Sequence, residues 1–371
     1  MELFISTEQA LQQLRIGVIG GSNSALKNGY VPLMVKMLEE SGVVVDLENH
    51  AVGATNSVNG LAVLKNTELA GNVDILLVEY TLNDAASFSR RPQLFGFWAK
   101  AYEGMIRIAL DKNPDLIIIP IILKMRTREG AGYLCPVYSG SVGLAARYHL
   151  QLVDMVAEEA VSGPDPETLY SDEAHYSINS GAPWIASHVS RVILEVLRQR
   201  PCQTVTKPVD PTCFSNVKYW ADVSALVPEC KTRHFINSMV DVNAYVLANK
   251  DPVRFRLWGR ILALQFVSTP DSPAIRISVG KESYIQNTVR STFRNKKFPF
   301  LLSTIIPVVH TGVDLTSNGS LVSISHTPPD NKDDSSAGLS EATGAFIPSV
   351  EPISGPFHLV GILYSGGIQP M

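Results

Sequence analysis

One serine, one histidine and one aspartate in this 371-residue chain sit in surroundings that support nucleophilic catalysis. The run Ile16-Gly17-Val18-Ile19 is short and apolar, and it ends in Gly20-Gly21-Ser22-Asn23-Ser24. Beyond it Tyr30, Leu33, Met34, Met37 and Leu38 recur at helical spacing. A strand–turn–helix junction of this kind places the Ser22 hydroxyl at the carboxyl edge of a parallel sheet, beside backbone N–H groups that favour negative charge. A serine held there can attack a carbonyl and have its developing oxyanion met by donors. A Gly-Gly-Ser turn with the serine as a plain N-cap fits the same residues.

Further along, Asp172 and His175 lie three apart in Ser171-Asp172-Glu173-Ala174-His175-Tyr176, just before Gly181 and a helical run through Ile185, Val189, Ile193 and Val196. In a turn, that spacing lets the carboxylate hold Nδ1–H while Nε2 faces a third group, the orientation of a general base. The alternative is a capping aspartate beside an exposed loop histidine. Asn83 follows the apolar run Ile75-Leu76-Leu77-Val78, and its amide at a strand tip can donate to an oxyanion or simply form a turn with Asp84. Gly53 follows Val43-Val44-Val45-Asp46-Leu47, as a turn glycine or as an N–H exposed at the same edge.

The elements that must position these groups read as strand–helix alternation. Strands are expected at 15–19, 43–47, 74–79 and 116–123, with a short fifth near 168–170, and helices at 24–40, 93–112, 142–161 and 181–199. Near-continuous apolar strands alternating with helices mean a parallel sheet covered on both faces. Ligands of such sheets bind at the carboxyl edge, where Ser22, Gly53 and Asn83 all fall.

Four segments in this order resemble the SGNH (GDSL-like) hydrolase superfamily over residues 12–199. They are Gly20-Gly21-Ser22-Asn23-Ser24, Ala51-Val52-Gly53-Ala54-Thr55, Thr81-Leu82-Asn83-Asp84 and Asp172-Glu173-Ala174-His175. The resemblance implies a flavodoxin-like, three-layer α/β fold. It also implies Ser22 as nucleophile, His175 as general base and Asp172 as its orienter. The Ser22 and Gly53 N–H groups and the Asn83 amide become the oxyanion hole. Two positions depart from the pattern. Gly21 stands where the family has an aspartate whose carboxylate braces the turn, and Thr81 stands where it has a glycine.

The second half has another texture. A proline-spaced connector over 201–215 separates the domain at 1–200 from 216–371. There, strand-like runs at 258–267, 274–278, 300–307, 320–326 and 358–364 have the cadence of a β-sandwich or jelly roll. The insert 328–344 reads as a mobile loop. Trp220, Trp258, Tyr245 and Tyr284 can stack on a sugar face or fill a sandwich core. His50, His149, His234, His310, His326 and His358 lack partner spacing and read as structural. Arg126, Arg128 and Arg147 follow the fourth strand, either as solvated loop residues or at an anionic entrance.

A net charge of −4 provides no basic field, which argues against a nucleic-acid partner. Hydrophobic residues at 45% suffice for sizeable cores, yet no run approaches the ~20 apolar residues of a membrane span. Cys135, Cys202, Cys213 and Cys230 match no zinc spacing and read as free thiols. The first residues lack a signal-peptide layout, so a cytoplasmic address is expected. No metal or resident cofactor is expected. The reading is a serine esterase acting on O-acetyl groups of a carbohydrate. One alternative is an O-acetyltransferase drawing on acetyl-CoA, and another is a non-catalytic carbohydrate-binding module.

Overall fold

The computed structural model describes residues 12–89, 92–126, 135–199, 207–226, 230–237, 240–247, 252–280, 282–290, 293, 299–305, 319–326, 346–347 and 355–371. Arg128, Cys202, His310 and the insert 328–344 lie outside the described residues, and of Tyr284 only the backbone is described.

Five parallel strands form the first sheet: β1 (Gln12–Gly20), β2 (Val43–Asn49), β3 (Ile75–Glu79), β4 (Ile117–Ile122) and β5 (Val153–Asp154), in the order β2-β1-β3-β4-β5. All five residues of β3 are buried because helices cover both faces. The helices are α1 (Ser22–Ala25), α2 (Tyr30–Glu40), α3 (Ser57–Asn66), α4 (Leu69–Asn72), α5 (Thr81–Phe88), α6 (Pro92–Lys112), α7 (Pro136–Arg147), α8 (Met155–Ser162), α9 (Pro166–Leu169) and α10 (Gly181–Gln199). Strand side chains alternate between two cores. Ile16, Val18, Ile75 and Leu77 meet Met34 and Leu38 of α2 and Ile185 and Val189 of α10. Ile19, Leu76, Val78 and Ile118 meet Leu61 and Leu64 of α3 and Trp98 and Met105 of α6.

The structure corrects several boundaries. The fifth strand is not near 168–170, where α9 forms and Tyr170 makes only an isolated bridge to Tyr176. It is β5, which interrupts the span 142–161 expected to be one helix. The cause is Asp154, whose carboxylate caps α8 by accepting the Val156 and Ala157 N–H groups at 3.1 and 3.0 Å. The helix expected at 24–40 is likewise two, with Leu26 and Gly29 extended between them. Helices α3 and α5 were not anticipated, so Asn83 lies in the first turn of a helix rather than in a loop.

The second unit is antiparallel. Its strands are β6 (Lys218–Trp220), β7 (Thr232–Ile236), β8 (Asp241–Leu247), β9 (Val253–Ser268), β10 (Ile275–Val279), β11 (Glu282–Gln286), β12 (Val289–Arg290), β13 (Leu301–Ile305), β14 (Ser320–His326), β15 (Phe346–Ile347) and β16 (Phe357–Pro370). Nine of them make one sheet with the long β9 and β16 at its centre, while β12 and β15 pair separately. The first part of β9 pairs with β14 and the last with β13, so the sheet curls around Phe255, Phe266, Ile277, Phe357 and Leu359. Gly259 faces Gly366 between the two long strands, at φ +141° and +88°. A Cβ on Gly366 would lie 1.7 Å from the Trp258 carbonyl oxygen, so only glycine fits.

The two units share a core. Phe214, Val217, Leu262, Ala263 and Leu363 belong to the same apolar cluster as α3 and α6, and the Phe97 and Phe214 rings meet edge-on at 5.0 Å. Buried Glu103 of α6 accepts the Tyr148 hydroxyl at 2.6 Å and the Val209 and Asp210 N–H groups at 2.5 and 3.0 Å, which pins the connector.

Candidate active site

Parallel pairing of Gly20 with Glu79 aligns the ends of β1 and β3. The chain turns there: Gly21 N–H donates to the Glu79 carbonyl at 3.0 Å, and Ser22 opens α1. The Ser22 Oγ lies 2.9 Å from His175 Nε2. On the other side of the ring, Nδ1 lies 2.9 Å from both carboxylate oxygens of Asp172. Asp172 Oδ1 also accepts the Ala174 and His175 N–H groups, each at 2.9 Å. Partial burial pushes the Asp172 carboxyl up, but the Ala174 N–H and then His175 outweigh it and hold the group below the usual carboxylate range. The structure thus brings together Ser22, Asp172 and His175, which lie up to 153 positions apart. An ionised carboxylate fixes the imidazole with Nε2 free to accept the serine proton.

The loop carrying Asp172 and His175 is clamped. The Tyr170 and Tyr176 rings pack at its base, tilted by 36° with centroids 4.4 Å apart. The Tyr170 hydroxyl donates to Glu159 at 2.7 Å, and Glu159 pairs with Lys124 at 2.7 Å, both side chains only 9% exposed. Arg126 N–H donates to the Glu173 carbonyl at 2.9 Å, while the Arg126 guanidinium pairs with Glu167. Arg126 is therefore part of the clamp rather than an entrance, and Arg147 donates to the Lys207 carbonyl of the connector at 3.0 Å. The sequence reading missed Asn23, which spans His175: its Nδ2 donates to the Ala174 carbonyl and its Oδ1 accepts the Tyr176 N–H, both at 3.1 Å. Adjacency to Ser22 was the available signal for it.

On the opposite side, the Val52 N–H donates to the Gly20 carbonyl at 3.0 Å, which lays residues 50–52 along the end of β1. Buried Gly53 comes next, followed by Ala54 at φ +61°, a left-handed conformation that costs an L-residue roughly 1–2 kcal/mol. Asn83 Nδ2 donates to the Thr55 carbonyl at 2.6 Å. The same nitrogen lies 2.3 Å from where a Cβ on Gly21 would stand. An amide nitrogen carries two hydrogens, so Asn83 can hold Thr55 and still donate to an oxyanion beside Ser22. Fully buried Asp84 accepts the Ser57 N–H at 2.9 Å and Trp98 Nε1–H at 2.8 Å, tying α3, α5 and α6 together beneath.

The other candidates take structural positions. Trp220 packs edge-on against Phe255 with ring centroids 6.1 Å apart, and Tyr245 donates to Asp222 at 2.9 Å. His50 pairs with Glu48 and His234 with Asp241, whereas His358 is buried against Phe235. Cys135, Cys213 and Cys230 are free thiols. Among the described residues no cluster of His, Cys, Asp and Glu could hold a metal ion, and no helix is long and apolar enough to cross a membrane. A cavity of about 870 Å³ lies between the units, lined by Asn49, Val52, Asn59, Asn237, Gln265 and Leu302 among others. Its lining does not include Ser22 or His175.

A parallel sheet sandwiched by helices carries the Ser–His–Asp relay at its carboxyl edge, and an antiparallel unit follows it. No protein-family model matches the chain, and no curated protein matches its sequence. Solved structures do match. The crystal structure of a two-domain esterase (CEX) active on acetylated mannans, co-crystallized with mannopentaose, is similar with a TM-score of 0.66 at 14% identity, covering 98% of this chain and 92% of that one. A second crystal structure of a two-domain esterase (CEX) active on acetylated mannans gives 0.65 at 15% identity, with 96% and 93% covered. The shared fold therefore runs through both units in the same order.

Proposed function

We propose that this chain is a serine esterase that removes O-acetyl groups from a carbohydrate. The observation that carries the reading is the unbroken relay from Ser22 Oγ through His175 to the Asp172 carboxylate, every contact at 2.9 Å. Ser22 Oγ attacks the ester carbonyl carbon while His175 Nε2 takes its proton. The tetrahedral oxyanion is met by the Ser22 and Gly53 N–H groups and the Asn83 amide. Collapse expels the sugar oxygen, which leaves with the proton from His175. Water then attacks the acyl-serine with His175 again as base, and acetate departs.

The substrate class is supported by the likeness to esterases active on acetylated mannans, which share both units of the fold. Hydrolysis needs only water as the acceptor; an O-acetyltransferase would pass the same acyl-serine to a sugar hydroxyl, with acetyl-CoA as donor. The test is acetate release from acetylated mannan by the full-length protein, with a fluorophosphonate probe and peptide mapping to locate the reactive serine. Release that disappears in Ser22→Ala, with labelling at Ser22, is expected. A folded Ser22→Ala variant that keeps most of the activity overturns the assignment, since losing a triad nucleophile costs several orders of magnitude. Acetylated glycan formed from acetyl-CoA without free acetate would favour the transferase.

A further inference from the structure

The nucleophile turn lacks the carboxylate expected at position 21, yet a carboxyl group touches it from another strand. Glu79 ends β3 directly beside Gly20, and its side chain is buried under the turn. Glu79 Oε2 accepts the Gly21 N–H at 3.3 Å and the Ser24 hydroxyl at 2.9 Å. These two donors flank Ser22, one residue before it and two after. Ser24 Oγ is itself 2.7 Å from the hydroxyl of Tyr30, fully buried at the start of α2, so the chain of bonds continues into the helix behind. The Glu79 carbonyl takes a second bond from the Gly21 N–H at 3.0 Å.

We infer that Glu79 is the positioning residue of the nucleophile, supplying from β3 the carboxyl brace that the chain has given up at position 21. The exchange has a steric reason. Any side chain at position 21 would start 2.3 Å from Asn83 Nδ2, so the amide would have to leave this placement to admit an aspartate. Holding the turn from below by Glu79 leaves the space above Gly21 to the amide. Burial pushes the Glu79 carboxyl up to about 8, against the Ser24 hydroxyl and Gly21 N–H that lower it. At neutral pH the brace is therefore uncharged, and no anion lies beneath a site where negative charge must develop. A glutamine offers the same acceptor oxygen without the titration.

The inference rests on the serine-nucleophile reading above, and its test separates the two. Rates of Ser22 phosphonylation by a fluorophosphonate, and kcat and KM for p-nitrophenyl acetate, are measured for the full-length protein, Glu79→Gln and Glu79→Met. Methionine keeps the volume and removes the acceptor. Glu79→Gln should stay within about threefold of the parent, while Glu79→Met should lose roughly thirtyfold or more in kcat and in phosphonylation with KM little changed, because a displaced reacting group costs up to ~100-fold. Should Glu79→Met not fold, Ser24→Ala removes one donor to Glu79, with Tyr30→Phe as the control for the lost Ser24–Tyr30 contact, and a several-fold fall in kcat beyond that control is expected. Equal rates in all variants overturn the brace, and so does a Glu79→Gln variant as slow as Glu79→Met. A parent protein that is not labelled at Ser22 overturns the nucleophile itself, and that arm is read first.

Discussion

Gly21→Ala tests the oxyanion geometry with a single methyl group. Gly21 has φ −91° and ψ −158°, an extended conformation open to any residue, so alanine meets no backbone penalty there. Its Cβ would stand 2.3 Å from Asn83 Nδ2 and 3.2 Å from Cγ, whereas ordinary contact begins at 3.4 Å. The amide must therefore retreat by about 1 Å, which also stretches its bond to the Thr55 carbonyl. Removing one oxyanion donor, or misplacing a reacting group by that distance, costs roughly 100-fold, or about 2.7 kcal/mol of transition-state stabilisation. The assay is kcat and KM for p-nitrophenyl acetate alongside thermal unfolding. We expect kcat to fall roughly 100-fold with KM within about threefold. Stability should change by about 1 kcal/mol or less, since the lower unfolded-state entropy of alanine offsets part of the strain. In an Asn83→Ala background, where the amide is gone, the second substitution should add little. A Gly21→Ala enzyme retaining more than a third of kcat, or a full further loss in the Asn83→Ala background, refutes the placement of Asn83 at the hole.

Asn23→Ala removes both bonds that span His175 and leaves two backbone groups unpaired. It should lower stability by about 1–3 kcal/mol in urea unfolding and lower kcat about tenfold or more with KM unchanged; an unchanged kcat would show that the loop holds His175 without it. Stability should also fall as pH rises through neutrality. Burial pushes Glu79 up to about 8 and Asp84 up to about 7, against ordinary values of 4.5 and 3.8, so between these limits the folded chain holds protons that the unfolded chain releases. Unfolding free energies at pH 5, 7 and 9 should decline by several kcal/mol in total, and Asp84→Asn should flatten its share; a rise with pH would contradict the assignment. At the acid end the sign reverses: Asp74, held low by Arg15, and Asp172 contribute stability above about pH 4 that is lost as they protonate. Finally, a chain ending at residue 206 should aggregate or unfold more readily than the full protein, since it uncovers the apolar surface packed on Phe214, Val217 and Leu262; an equal unfolding midpoint would count against the shared core.

What was legible in the sequence was local. The runs Ile75-Leu76-Leu77-Val78 and Ile117–Ile122 are apolar at every position, which only a strand buried on both faces requires, and they appear as β3 and β4. Of the residues in the four short blocks, Ser22, Asp172 and His175 meet in one relay and the Asn83 amide lies beside Gly21, because the turns at a sheet's carboxyl edge come together. Elements without a period of their own were missed. β5 has two residues, and the helical pattern on either side hides the cap at Asp154 that separates α7 from α8. The partners of the site were hidden for another reason. Asn23 bonds across 151 and 153 positions and Glu79 across 55 and 58, and no spacing rule connects groups that meet only through tertiary packing.

The antiparallel unit matters to the chemistry through what it supports rather than through a group of its own at Ser22. Val52, next to Gly53, packs against the cluster of Phe235, Val240, Ala244, Val267, Phe300 and Leu302 from the second unit. Asn59 of α3, buried a few residues on, is bonded to Gln265 of β9. The segment 52–59 is thus held at three points: by Gly20 through the Val52 N–H, by Asn83 and Asp84 through Thr55 and Ser57, and by the second unit through Val52 and Asn59. Two of those holds belong to the α/β unit. The third fixes the wall from outside, where a loop with a left-handed Ala54 would otherwise have strain to release. Packing of this kind ties the segment beside Ser22 to both units of the chain.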